Sequence, residues 1–337
     1  MNNKAKTILF IVGLVIFIFL INEFGVENIL SNIQKTGWWL LPIIAIWFFV
    51  YILNAVAWRL ILKIHKDKIS FGEILSLSIS GFAINYITPV VNLGGEPYKV
   101  FALKEKLGTH NAVSSVVLYS MLHFLSSFVF WIIAILLVLF SLSLTSEMQI
   151  IFGVAFIVAL SGIWFFYSRH KKGIFGSVIK LVPKLPFTKK LAEKLKLNTE
   201  SLTIIDNQII DFYSNSKPDF YASLFFEVAA RFLASVEFIF ILLAIGIEIT
   251  FIEAIYINAF SSLFLNIFFF VPLGLGIREG SLFFIMSILK FSSGIGIYIG
   301  LVNRIRELFW ILIGLLLIQL KKSKPVKESI IGLADLK

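Results

Sequence analysis

The chain of 337 residues contains no cysteine. That absence removes disulfides, thiolate nucleophiles and every cysteine-ligated zinc or iron–sulfur site together. Histidine is scarce as well: His65, His110, His123 and His170 stand apart without ligand spacing, so neither a metal centre nor a cofactor is expected. Charge is thin, at 15% Asp, Glu, Lys and Arg, where a soluble domain usually carries about a quarter. What fills the chain instead is apolar: 58% hydrophobic residues, 36 phenylalanines and a mean hydropathy of +0.93. Too little polar surface remains to cover a water-soluble globule, and a disordered chain is excluded by the same composition. The reading is an all-α integral membrane protein. Its net charge of +10 needs no nucleic acid, because the cytoplasmic loops of membrane proteins collect Lys and Arg.

Six membrane spans are expected, at 5–21, 38–62, 112–140, 150–166, 220–245 and 296–320. Lys4 and Lys6 precede the first, and no small-residue cleavage site follows it, so it reads as a retained helix. The next loop carries Glu23, Glu27 and a single Lys35, which places it outside and the N-terminus inside. On this assignment 24 of the 30 Lys and Arg lie inside, against Lys35 and Lys290 in outside loops. Both termini are therefore expected in the cytoplasm of a cell membrane. Residues 1–320 read as one polytopic domain, with a cytoplasmic loop at 169–217 and a basic tail at 321–337. Within the loop Leu191, Leu195, Leu202, Ile205, Ile209 and Phe212 recur at helical spacing, the mark of an amphipathic helix that packs or lies at the interface.

Two further apolar stretches are broken. Residues 74–93 are flanked by lysines on both sides and interrupted by Pro89 and by Asn92-Leu93-Gly94-Gly95. Residues 254–271 run into Pro272 and the glycines Gly274 and Gly276. Both segments place a glutamate seven residues after the proline, Glu96 and Glu279, with two glycines between. The expectation is a pair of re-entrant hairpins, near 74–110 and 254–289, that enter from opposite faces as an inverted repeat. Non-helical backbone at membrane depth belongs beside protein or a water-filled cavity, so these breaks should line a site. If a hairpin crossed fully, seven or eight spans would result.

Trp58-Arg59-Leu60, Gly94-Gly95-Glu96 and Pro272-Leu-Gly-Leu-Gly-Ile-Arg-Glu-Gly280 together resemble the flippase-like membrane family. That family includes the transmembrane flippase domain of lysylphosphatidylglycerol synthases, the multiple peptide resistance factors. The resemblance covers nearly the whole chain and implies movement of aminoacylated phospholipids, or of polyprenol-linked lipids, between leaflets. Two departures stand out. Only 17 residues follow Leu320, so no aminoacyl-transferase domain is expected there, and Lys99 stands where arginine is expected, keeping the charge without the fork.

Candidate site residues follow from the breaks and from ionisable groups at membrane depth. Asn92, Gly94, Gly95, Glu96 and Lys99 in the first hairpin, with Gly274, Gly276, Arg278 and Glu279 in the second, form a candidate cradle for a lipid phosphodiester. Arg304 and Arg306 on the last span join it. Glu227 with Arg231 and Arg304 with Glu307 are spaced to pair along their helices, whereas Glu237 has no evident partner. His123 reads as a packed, hydrogen-bonded residue rather than a proton carrier. Gly296 and Gly300 have the spacing that permits a homodimer. Lipid translocation without enzymatic chemistry is the first reading. A secondary transporter of a small anion or amphiphile, or an accessory subunit, would use the same broken helices.

Overall fold

The computed structural model describes residues 26–88, 94–141, 145–169 and 199–320 (less 270, 272, 273 and 275), together with residues 11, 15 and 18. Most of the first expected span, Pro89, Asn92, Pro272, Leu191, Leu195 and the basic tail lie outside the described residues. The regular structure described is helical: α1 Val26–Thr36, α2 Leu40–Ile61, α3 Phe71–Ile87, α4 Gly95–Leu107, α5 Thr109–Ser141, α6 Ser146–Arg169, α7 Thr199–Asn215, α8 Lys217–Leu243, α9 Phe251–Ile267, α10 Ile277–Ile288 and α11 Gly294–Leu320. Three stretches, Leu30–Ile61, Thr109–Ser141 and Ser146–Phe166, are long and apolar enough to cross a membrane. Helices α8 and α11 have the length, at 27 residues each, but their apolar runs are interrupted by ionisable side chains.

Helices α3 and α9 are built alike. Each has 17 residues and begins at a hydroxyl N-cap followed by Phe and, two residues later, Glu: Ser70-Phe71-Gly72-Glu73 and Thr250-Phe251-Ile252-Glu253. The Ser70 hydroxyl accepts from the Glu73 N–H at 3.3 Å, and the Thr250 hydroxyl accepts from the Glu253 N–H at 3.2 Å. In the second case the Glu253 carboxylate also accepts from the Thr250 N–H, which completes a capping box. At about 1.5 Å per residue such a helix rises roughly 25 Å. This shared cap adds a second likeness between the two segments to the shared proline, glycine and glutamate spacing.

The first hairpin is closed at both ends. Lys106, at the end of α4, donates to Glu73 at the start of α3 (2.6 Å). At the other end the side-chain oxygen of Asn85 accepts from the Gly95 N–H (2.6 Å), and its amide donates to Glu96 (3.3 Å). In the second hairpin Gly274 and Gly276 take φ of +59° and +78°, a conformation that costs a side chain but not glycine. The chain turns there into α10.

Each hairpin is packed in its own apolar core. One core gathers Trp58, Ile74, Leu77, Leu103, Leu122, Ile311 and Leu315 around α3 and α4. The other gathers Ile43, Leu242, Ile257, Leu282, Met286 and Val302 around α9 and α10. Helices α2 and α11 belong to both. The first half of α11 is buried in the second core and its last turns in the first, which leaves 303–307 between them. Helix α7 joins the first core through Ile205 and Ile209, with Phe212 against it, so its apolar stripe is a packing face.

Glycine sets how closely α11 approaches both hairpins. A Cβ on Gly314 would lie 2.5 Å from Ala83 Cβ and 2.9 Å from the Ile79 carbonyl oxygen of α3. One on Gly296 would lie 2.5 Å from backbone atoms of Leu282 and Phe283 on α10. The Gly296–Gly300 spacing is thus used within the chain, against α10. Gly314→Leu and Gly296→Val should each lower the thermal unfolding temperature of the detergent-solubilised protein, at about 1–3 kcal/mol of overpacking. Gly280→Ala, where an added Cβ meets nothing within 4 Å, should leave it unchanged.

Candidate functional site

Between the two cores lies a layer of ionisable side chains. Arg304 on α11 donates from Nε and Nη2 to Glu279 Oε1 on α10, at 2.8 and 2.5 Å. Arg278, beside it on α10, donates to Glu307 Oε2 at 2.7 Å. Arg306, on the opposite side of α11 from Arg304, donates to both oxygens of Glu237 on α8, at 3.0 and 3.2 Å. Glu237 also accepts from Asn303 (2.8 Å) and from the Trp47 indole (2.6 Å), over whose ring the Arg306 guanidinium lies at 3.8 Å. Arg306 and Glu307 approach to 3.7 Å. Tyr86, in the last turn of α3, lies close enough to feel Glu307, Arg278 and Arg304. The tip of the first hairpin thereby meets the second hairpin's cluster at α11.

The expected pairings are drawn differently by the structure, although Glu227 remains close enough to act on Arg231 along α8. Along-helix spacing pointed to Arg304 with Glu307 and to Glu227 with Arg231. The hydrogen bonds run between helices instead. Arg304 goes to Glu279, Glu307 to Arg278, and Glu227 to His123 on α5 (2.7 Å). Arg231 donates to Ser126 Oγ (2.8 Å) and to the His123 carbonyl (2.6 Å). The reason is positional: these side chains sit on buried helix faces, where a neighbouring helix offers partners across the contact. Glu237, which had no evident partner in sequence, holds Arg306.

The cradle expected at Gly94–Lys99 is also corrected. The Gly95 N–H is already bonded to Asn85, and a Cβ on Gly95 would strike the Gly81 carbonyl oxygen and Asn85 Oδ1. Gly95 lets α4 seat on α3, and a Cβ on Gly94 would strike Thr88 Oγ1 in the same way. Lys99 is buried; its ammonium lies 3.8 Å from Glu96, 5.4 Å from the Trp58 ring centroid and 5.0 Å from that of Tyr119. Its stem crosses Gly81, where an added Cβ would fall 2.5 Å from Lys99 Cε. Gly81 escaped the sequence reading; a lone glycine inside an apolar helix was its signal. Asn92 lies outside the described residues. Lys99 and Arg278 thus belong to two separate polar groups, not to one cradle.

Charge accounting limits what the layer can do. Arg278, Arg304 and Arg306 face Glu237, Glu279 and Glu307, three against three, so the central cluster is neutral as it stands. The pairs differ in access: the Glu279 side chain is 24% exposed, Glu307 7% and Glu237 1%. Glu279 is therefore the most accessible carboxylate of the layer, while its partner Arg304 is 3% exposed and Arg278 11%; Arg306–Glu237 is sealed. Among the described residues no group of three or more His, Asp or Glu is arranged to hold a metal ion.

An all-helical, multi-pass membrane protein with a buried polar layer is the class these features define. Residues 7–314 match the family described as lysylphosphatidylglycerol synthase TM region, and the chain belongs to that family. The resemblance carried by Trp58-Arg59-Leu60, Gly94-Gly95-Glu96 and the Pro272–Gly280 run is thereby confirmed. A UPF0104 membrane protein of Methanothermobacter thermautotrophicus (strain Delta H) is 32% identical over 110 residues. That stretch is 32% of this chain and 31% of the relative, so the match spans less than a third of the relative's length. No solved structure shows a significant match.

Breaking the sealed pair from one side should be costly, because it leaves a buried charge without its partner. Arg306→Ala is expected to destabilise the fold by about 3–5 kcal/mol. Arg306→Met/Glu237→Met should recover much of that loss in a thermal unfolding series. A double variant no more stable than Arg306→Ala would mean that the pair is not coupled.

Proposed function

We propose that the protein moves a lipid bearing an anionic, phosphate-containing head group between the two leaflets of a cell membrane, without enzymatic chemistry. The observation that carries this reading is the convergence of two short helix arms, each stopping at a glycine-rich break, on the buried ionisable residues of α11. Helices of roughly 25 Å fall short of a hydrocarbon core of about 30 Å, which suits α3 and α9 to re-entrant arms. In this reading six helices cross, the hairpins enter from opposite faces as an inverted repeat, and both termini are cytoplasmic. Aminoacylated phospholipids and polyprenol-linked lipids are the substrate classes considered first, since the family's description names lysylphosphatidylglycerol synthase.

The neutral cluster changes how an anion would be held. A phosphodiester entering near Gly276 would compete with Glu279 for Arg304, whose guanidinium offers two parallel donors to either group. A phosphodiester that takes Arg304 from Glu279 leaves that carboxylate behind, so the layer gains one negative charge while the lipid is held. Arg278 and Arg306 hold the framework around that exchange.

Two measurements test this. Single cysteines at Ser70 and Thr109, in a chain without cysteine, should both react with an impermeant reagent only from the cytoplasmic face. Labelling of Thr109→Cys from outside would make the first hairpin a full crossing. In proteoliposomes, the wild type should exchange labelled phosphatidylglycerol, its lysyl ester or polyprenol phosphate between leaflets faster than protein-free vesicles. Arg304→Ala should slow that exchange at least about tenfold, as loss of a charge-assisted hydrogen bond of roughly 1.5–3 kcal/mol implies. Wild-type vesicles no faster than empty ones for all three lipids would overturn the reading.

A further inference from the structure

The second polar group, away from the α11 cluster, has a composition the lipid path does not use. His123 on α5 is half exposed, at 46% of its side-chain surface, and its Nδ1 lies 2.7 Å from Glu227 Oε2 on α8. Glu227 is 1% exposed, and its second oxygen, Oε1, is buried without a hydrogen-bond partner. A buried carboxylate with an unsatisfied oxygen is costly in a membrane interior, which marks it as functional by default. Behind it lies Lys99 on α4, close enough to feel both Glu227 and Glu96 and resting on the Tyr119 and Trp58 rings. Glu96 repeats the pattern: its Oε2 is also buried and unpartnered. The charged and titratable groups that face the pair are thus Lys99 and Glu96 from α4, Arg231 from α8, and Tyr119 one turn earlier on α5, 6.2 Å from the imidazole. From α2 comes the Trp58 ring, and from α9 the amide of Asn258, which donates to the Arg231 carbonyl.

We propose that His123 and Glu227 form a proton-binding site, and that a proton held there is carried with each anionic head group. Histidine is the side chain suited to exchange a proton between pH 5 and 8. With a neutral imidazole the group is balanced, Lys99 and Arg231 against Glu96 and Glu227. A proton taken up on the ring nitrogen turned away from Glu227 gives an imidazolium whose other N–H is donated to Glu227 Oε2. The group then carries one excess positive charge beside Lys99. An anionic phosphodiester held at Arg304 adds one negative charge to the α11 layer, so a proton and a lipid taken up together, one for one, leave the sum over the two groups neutral. The coupling rests on the lipid-transport reading; the proton site itself does not.

The experiment uses the full chain in vesicles that hold labelled phosphatidylglycerol and an internal pH dye. With a pH difference imposed across the bilayer, wild-type lipid movement should accelerate about tenfold toward the more alkaline side, and the dye should record protons crossing with the lipid. That factor corresponds to a difference of one pH unit, about 1.4 kcal/mol. His123→Gln, which keeps a hydrogen bond to Glu227, and Glu227→Gln should lose both the acceleration and the dye signal. Because proton and lipid enter together, His123→Gln should also slow movement without a gradient, with its thermal unfolding temperature retained. Equal wild-type rates with and without the gradient, or acceleration kept in His123→Gln, would overturn the coupling. If the wild type moves no lipid at all, the transport reading fails instead, and nitrogen NMR of the histidines in nanodiscs decides the proton site. There Glu227→Gln should change the ring-nitrogen resonances of His123, and resonances left unchanged would overturn the site.

Discussion

Neutrality of buried charge is the constraint on which the rest of this structure depends. Removing an ion from water into a protein interior costs several kcal/mol even after relaxation. This chain places Arg278, Arg304, Arg306, Glu237 and Glu307 where each is less than a tenth exposed. Such a set can exist only if its members meet. The helices that carry them, α8, α10 and α11, are consequently fixed in rotation about their axes: Arg304 must face Glu279 while Arg306 faces Glu237. The two apolar cores then assemble on either side of the layer, and the glycines of α11 set the closeness at which the charges can touch.

That ordering explains which features were legible in the sequence. Apolar runs mark helices by themselves, so α2, α5 and α6 fall where hydropathy placed them. The stripe through Ile205, Ile209 and Phe212 likewise reads as a packing face because its period is local. Capping is local too: the Ser70–Glu73 and Thr250–Glu253 spacings stand in the sequence beside the shared proline and glycines. Partners across helices are not local. Arg306 and Glu237 lie 69 residues apart, and no spacing rule joins them. Reading ion pairs at three and four residues therefore misses the partners that lie across helices.

Glycine was misread for a related reason. Gly94 and Gly95 looked like a backbone opened to a ligand, because glycine removes a side chain wherever it stands. The structure shows that the space is taken by Thr88, Asn85 and the Gly81 carbonyl, so these positions serve a helix–helix contact. A single sequence cannot distinguish the two uses, since both demand the same missing Cβ. Gly276 is different: its φ of +78° and the bond from its N–H to Glu279 at 3.0 Å tie it to the turn and to the carboxylate that holds Arg304.

The two hairpins are alike in construction and unlike in what they hold. Glu96 and Glu279 occupy corresponding places after their prolines, but Glu279 holds an arginine of α11 while Glu96 holds Asn85 and faces Lys99 across 3.8 Å. The arginine pair is compact, with Nε and Nη2 of Arg304 both donating to Glu279 Oε1. The lysine sits loosely between two rings, beside carboxylate oxygens that lack partners, so its surroundings respond to a change of one charge. Since α11 packs against both hairpins through Gly314 and Gly296, a shift at either group cannot stay local.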